Sequence, residues 1–143
     1  MQFVCDAPGG RTWFRIESEM EAAQESTAMS HAVEKYFRRE REKAVQSYLP
    51  SSPNYIEQDI GRAAHIAREM PLFLTLRDRE GTPLATAMLP TRGEANSGFR
   101  IIIVGPSNGD PYPKQSDAIA ALAAHYKLML DRENCFPYTR IAG

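Results

Sequence analysis

The chain is poor in cysteine, with two in 143 residues. Cys5 and Cys135 stand near opposite ends, and no Cys-x-x-Cys pair is present. That excludes a disulfide framework and a redox motif of the thioredoxin kind. In a reducing compartment both would be thiols, and a bridge would require the fold to bring the ends together. Charge of one sign is also missing: 17 Lys and Arg meet 18 Asp and Glu, a net charge of −1. A strong electrostatic footprint for nucleic acid or an anionic membrane is not expected. No run approaches the roughly 20 apolar residues needed to span a bilayer. The start, Met1-Gln2-Phe3-Val4-Cys5-Asp6, lacks the basic region and long apolar core of a signal peptide. The expectation is a soluble, cytoplasmic protein.

Catalytic signatures are absent as well. There is no Walker loop, no dinucleotide fingerprint and no Ser-centred nucleophile elbow. None of His31, His65 and His125 has a His, Cys or carboxylate at zinc-ligand spacing, so no metal and no cofactor are expected.

What is present suits one α+β domain over residues 1–143. At this length folding buries roughly 68% of the surface of the open chain, enough for a core without staples. Residues 2–16 read as a β-hairpin turned by Asp6-Ala7-Pro8-Gly9-Gly10-Arg11, because Pro presets φ and glycine permits positive φ. Ser18 with Glu21 forms a capping box for a long helix. Ala22, Met29, Ala32, Val33, Tyr36 and Phe37 share one face of it. Glu40 lies in line with that face, which makes it partly buried and paired unless the helix has left the core there. A second helix starts at Ser52-Pro53 or at Asn54 and ends at Met70-Pro71. Its stripe is Ile56, Ile60, Ala63, Ala64 and Ala67, and His65 lies opposite. His31 likewise lies opposite the apolar stripe of the first helix, so both are expected to face solvent.

A three-strand meander follows: Leu72 to Arg77, a turn at Asp78-Arg79-Glu80-Gly81, Leu84 to Leu89, a polar loop, then Phe99 to Val104. Ile101 to Val104 is apolar on both sides, so both faces of the sheet need cover. A third helix runs from about Ser116 to Arg132. The fold expectation is therefore about five mostly antiparallel strands, an N-terminal hairpin plus the meander, with three helices.

The loop Gly105-Pro106-Ser107-Asn108-Gly109-Asp110-Pro111-Tyr112-Pro113 is the candidate site, with Ser107, Asn108, Asp110 and Tyr112 as ligand-binding residues. A stiff loop at a helix start can aim backbone N–H groups and short polar side chains at a ligand. The competing reading is a plain strand-to-helix connector. The functional expectation is a non-enzymatic module that binds a protein partner or small ligand and forms a homodimer. Its motivation is the two-sided strand and a second apolar patch, Ala121, Ala124 and Leu128. The alternative is a small hydrolase or transferase at the 105–113 loop, with Cys5 and a histidine in support. Nucleic-acid binding through Arg38, Arg39, Arg41 and Lys43 is disfavoured by the interleaved Glu40 and Glu42.

Overall fold

The computed structural model describes residues 1–90, 101–132 and 135. Strands β1 (Gln2–Ala7), β2 (Arg11–Arg15), β3 (Leu72–Arg77), β4 (Pro83–Leu89) and β5 (Ile102–Val104) form one antiparallel sheet in chain order. Helices α1 (Glu19–Met29), α2 (Val33–Gln46) and α3 (Tyr55–Glu69) lie between β2 and β3, and α4 (Tyr112–Tyr126) follows β5. The α+β architecture and the hairpin-plus-meander order are as expected, but there are four helices rather than three. The expected polar loop, with Phe99 and Arg100, lies outside the described residues, as does the tail apart from Cys135.

The extra helix arises from a break in the expected long one. Ser18 does cap α1, its Oγ accepting from the Glu21 N–H at 3.1 Å, while the Glu21 carboxylate reaches back to the Glu17 N–H at 2.9 Å. Ser30 then takes a left-handed conformation (φ 54°, ψ 53°) and ends the helix. The Ser26 Oγ accepts from the Glu34 N–H at 2.8 Å, so a side chain of α1 caps the start of α2 across the turn. Apolar periodicity runs through this turn without a visible break, because α1 and α2 bury into the same layer. Glu40 is paired with Lys43 at 3.5 Å and its side chain is 13% exposed, as its place on the wheel requires. The start of α3 falls to Asn54, whose side chain accepts from the N–H groups of Ile56 and Glu57.

Strand alternation sorts two cores onto the two sheet faces. Trp13, Leu74, Leu76, Ala87 and Ile103 point to α4 and meet Ala118, Ile119 and Leu122. Ile16, Phe73 and Met88 point the other way and meet Ala22, Val33 and Phe37. Phe37 and Phe73 pack edge to face with centroids 5.0 Å apart. The chain therefore covers both faces of its own sheet, which removes the two-sided strand as a reason to expect a partner.

Helix α4 is fixed at two points. Trp13, fully buried, donates its Nε1–H to the Ala118 carbonyl at 2.8 Å. Arg11 bonds Gln115 and, at 2.7 Å, Asp117. That guanidinium holds the Asp117 carboxyl below the usual carboxylate range. The irregular backbone of α4 falls at Gln115 (φ −120°), the residue Arg11 bonds, and α4 ends in a left-handed Lys127.

The left-handed Ser30 predicts a stabilising substitution. Ser30→Gly should raise the unfolding free energy by about 1 kcal/mol, since glycine adopts this φ without the Cβ clash. Urea denaturation of the two proteins checks it.

Candidate functional site

The turn between α1 and α2 carries a buried polar relay onto the sheet. Glu25 on α1 is 0% exposed and sits over β3 and β4. Arg77 donates from Nη2 to one carboxylate oxygen at 2.7 Å, and Thr86 donates its hydroxyl to the other at 2.7 Å. Arg77 is itself held by Thr75 Oγ1 at 3.1 Å and the Gly81 carbonyl at 3.0 Å. His31 Nε2 lies 2.8 Å from Thr86 Oγ1.

Counting protons orients the relay. Thr86 has one hydroxyl proton, and Glu25 takes it. The Thr86 oxygen therefore accepts from His31, which fixes the Nε2–H tautomer. The remaining ring nitrogen, Nδ1, faces the Val33 N–H at 3.4 Å. His31 is thus a neutral donor with both nitrogens engaged. Burial lowers its pKa, and the charge of Glu25 opposes that only in part. The expectation of a solvent-facing His31 is corrected: the turn at Ser30 folds the ring back onto the sheet.

Beside the relay is a cavity of about 280 Å³ between the first turn of α2 and strands β4 and β5. Tyr36, Ile102 and Val104 make apolar walls; His31, Thr86 and Asn108 supply the polar atoms. This volume is close to the lower end of ligand pockets, roughly 300 Å³. A larger groove of about 470 Å³ between β1 and the end of α3, with Phe3, Arg15 and Arg68 on its walls, is more open and shallower.

The four loop residues expected to act together are distributed. Asn108 lines the cavity. Ser107 and Asn108 are consecutive left-handed residues (φ 56° and 60°), in a loop closed by the Gly105 N–H to Gly109 carbonyl bond at 2.7 Å. Asp110 accepts from the Tyr112 N–H at 3.0 Å and pairs with Arg132 at 2.9 Å. Tyr112 packs against the core on the α4 side, its hydroxyl reaching the Leu130 carbonyl at 3.4 Å. Burial, with Cys135 beside it, pushes the Tyr112 phenol up.

Groups that would support catalysis are differently engaged. Cys5 and Cys135 are free thiols, and burial pushes both pKa values up, away from a reactive thiolate. Ser47 Oγ lies 2.7 Å from His65 Nε2, but it donates to the Ala44 carbonyl at 3.0 Å. The imidazole is therefore donor rather than base toward that hydroxyl. His125 is exposed and stacks edge-on against Tyr126. Among the described residues no three His, Cys, Asp or Glu side chains cluster as metal ligands. No helix among them is long and apolar enough to cross a membrane.

Glu25, Thr86 and Arg77 were not singled out in the sequence. A signal existed for Glu25, which lies three residues after Ala22 and four before Met29, inside the apolar stripe of α1. Comparison with known proteins adds nothing to this geometry: no family model, curated protein or solved structure matches the chain.

The relay predicts two measurable effects. Glu25→Ala should cost about 3–5 kcal/mol by leaving the Arg77 charge partly buried and unpaired, read by chemical denaturation. His31, with its folded pKa below its unfolded value near 6.5, binds fewer protons folded than unfolded. Stability should therefore fall as the pH drops below about 6.5 toward the lowered pKa. His31→Gln should lose part of that fall between pH 7.5 and 5 in urea melts.

Proposed function

We propose that the protein is a non-enzymatic module of the cytoplasm that binds a small, mainly apolar ligand in the cavity between α2 and β4–β5. The observation that carries this reading is the composition of that cavity. Apolar walls surround a few convergent polar atoms, the usual make-up of a small-molecule site. The left-handed Asn108 lines the same cavity as Thr86. A ligand with an apolar body and one hydrogen-bonding group fits that set. Held backbone strain of this kind, of order 1–3 kcal/mol per residue, is concentrated at ligand-binding loops.

The direction of the hydrogen bonds favours binding over catalysis. His31 spends its proton on Thr86, and Arg77 offsets the charge of Glu25, so no free base faces the cavity. The alternative of a hydrolase or transferase at residues 105–113 has less support. Asp110 is engaged by Arg132 and the Tyr112 N–H, and the thiol of Cys5 is pushed toward its neutral form.

A panel of single-ring aromatic and medium-chain aliphatic probes, followed by amide chemical shifts, tests the proposal. Binding should move the amides of Thr86, Ile102 and Asn108 together. Val104→Phe, which fills the cavity from β5, should weaken binding at least tenfold while the fold is retained. Absence of shifts at these amides at millimolar probe, or binding unchanged in Val104→Phe, would sink the idea.

A further inference from the structure

Helix α3 is turned inside out relative to its pattern. The residues facing the protein are Gly61, Arg62, His65 and Ile66, while Ile56, Ile60, Ala63, Ala64 and Ala67 are all exposed. Ile56 is 71% exposed and Ile60 is 67%. Gly61 lies on the inward face: a Cβ there would lie 2.4 Å from the hydroxyl of Tyr48, in the segment that follows α2. The outward stripe has its large residues in the N-terminal half and its alanines in the C-terminal half.

We infer that this face pairs with the same face of a second copy, the two α3 helices running antiparallel. A two-fold axis between Gly61 and Arg62 sets Ile56 opposite the second copy's Ala67 and Ile60 opposite its Ala63. Each large side chain then meets a small one, the complementarity that close helix packing requires. The spacing of Ile56, Ile60, Ala63 and Ala67 is four, three, four, the seam of helices packed at a shallow angle.

Charge agrees with the same register. Glu57 and Arg68 sit on one flank of the stripe, about 20° apart at 100° per residue. The two-fold operation keeps that flank on the same side of both helices. Glu57 then lies within about 3 Å, measured along the axis, of Arg68 of the second copy, and the reciprocal pair forms by symmetry. The Arg68 side chain is 67% exposed and its nearest carboxylate, on Glu69, is 3.9 Å away. Parallel pairing would instead carry this flank to opposite sides of the seam, where Glu57 and Arg68 do not meet. A 15-residue helix is about 22 Å long, a small interface, so the dimer is weak and concentration-dependent.

Sedimentation equilibrium of the full chain from about 10 µM to 1 mM tests the inference. A monomer–dimer equilibrium is expected, and Ile60→Glu should weaken it at least tenfold without changing the thermal midpoint, since this residue touches solvent. Glu57→Arg should weaken it, and adding Arg68→Glu should restore it. A monomer throughout the range overturns the proposal and leaves the stripe to a different protein. A dimer indifferent to Ile60→Glu, or not restored by the charge exchange, overturns the antiparallel register. Ligand binding in the cavity of α2 and β4–β5 is independent of each outcome.

Discussion

A carboxylate without solvent governs the arrangement of this molecule. Glu25 must be matched by partners or the fold loses several kcal/mol. Its partners come from two strands: Arg77 from β3 and Thr86 from β4. Satisfying one side chain therefore sets where α1 lies over the sheet. The same constraint reaches the next helix. Thr86, having given its proton to Glu25, needs a donor, and His31 supplies it from the turn. The turn is then no longer free to vary, and the left-handed Ser30 is the backbone consequence. Helix α2 starts from that fixed point, with Ser26 capping it across the turn.

The cavity follows from this polar group rather than from an accident of packing. Phe37, Phe73 and Met88 close the middle of the α1–α2 face. Toward β5 the His31–Thr86 pair replaces what would be an aliphatic contact. An imidazole held by hydrogen bonds at both nitrogens cannot lean into the gap, so space remains beside it. The α4 face shows the opposite solution. Its buried polar atom, the Trp13 indole nitrogen, finds a backbone carbonyl inside the packed layer, and the core closes around the pair. Two faces of one sheet thus differ in how tightly they close because their buried polar groups differ in where their partners lie.

The strands were legible in the sequence because alternation and turn chemistry are local. Gly81 at positive φ ends the β3–β4 turn where the residues imply it, and Leu74 and Leu76 share a face opposite Phe73. The break at Ser30 was not legible. Nothing in residues 29–32 forbids a helix, and tertiary hydrogen bonds made across 55 and 61 residues of sequence decide against it. The candidate site was half legible. Asn108 was identified from loop chemistry, but the groups it joins come from the α1–α2 turn, α2 and β4, and long-range assembly leaves no mark on spacing. Asp110 and Tyr112 share the loop with Asn108 yet serve the opposite side of the sheet. Neighbours in a turn need not share a site.

Helix α3 shows the limit of amphipathicity as an argument. The wheel separates its two faces correctly, and the ordinary inference places the apolar one inside. Here the other face is the one turned to the protein. Gly61 lies against Tyr48, in the segment that follows α2, and His65 lies beside it, its ring 5.5 Å from that of Tyr48. Of its apolar residues only Ile66 packs against the cluster of Val33, Phe37 and Ala44, and Ala63 and Ala67 border the gap beside Phe37. The weaker face of this helix serves its own chain, and the stronger face is left to solvent. Exposed apolar side chains at that density are costly to leave in water, and their large-to-small order along the helix is the part that a random surface would lack.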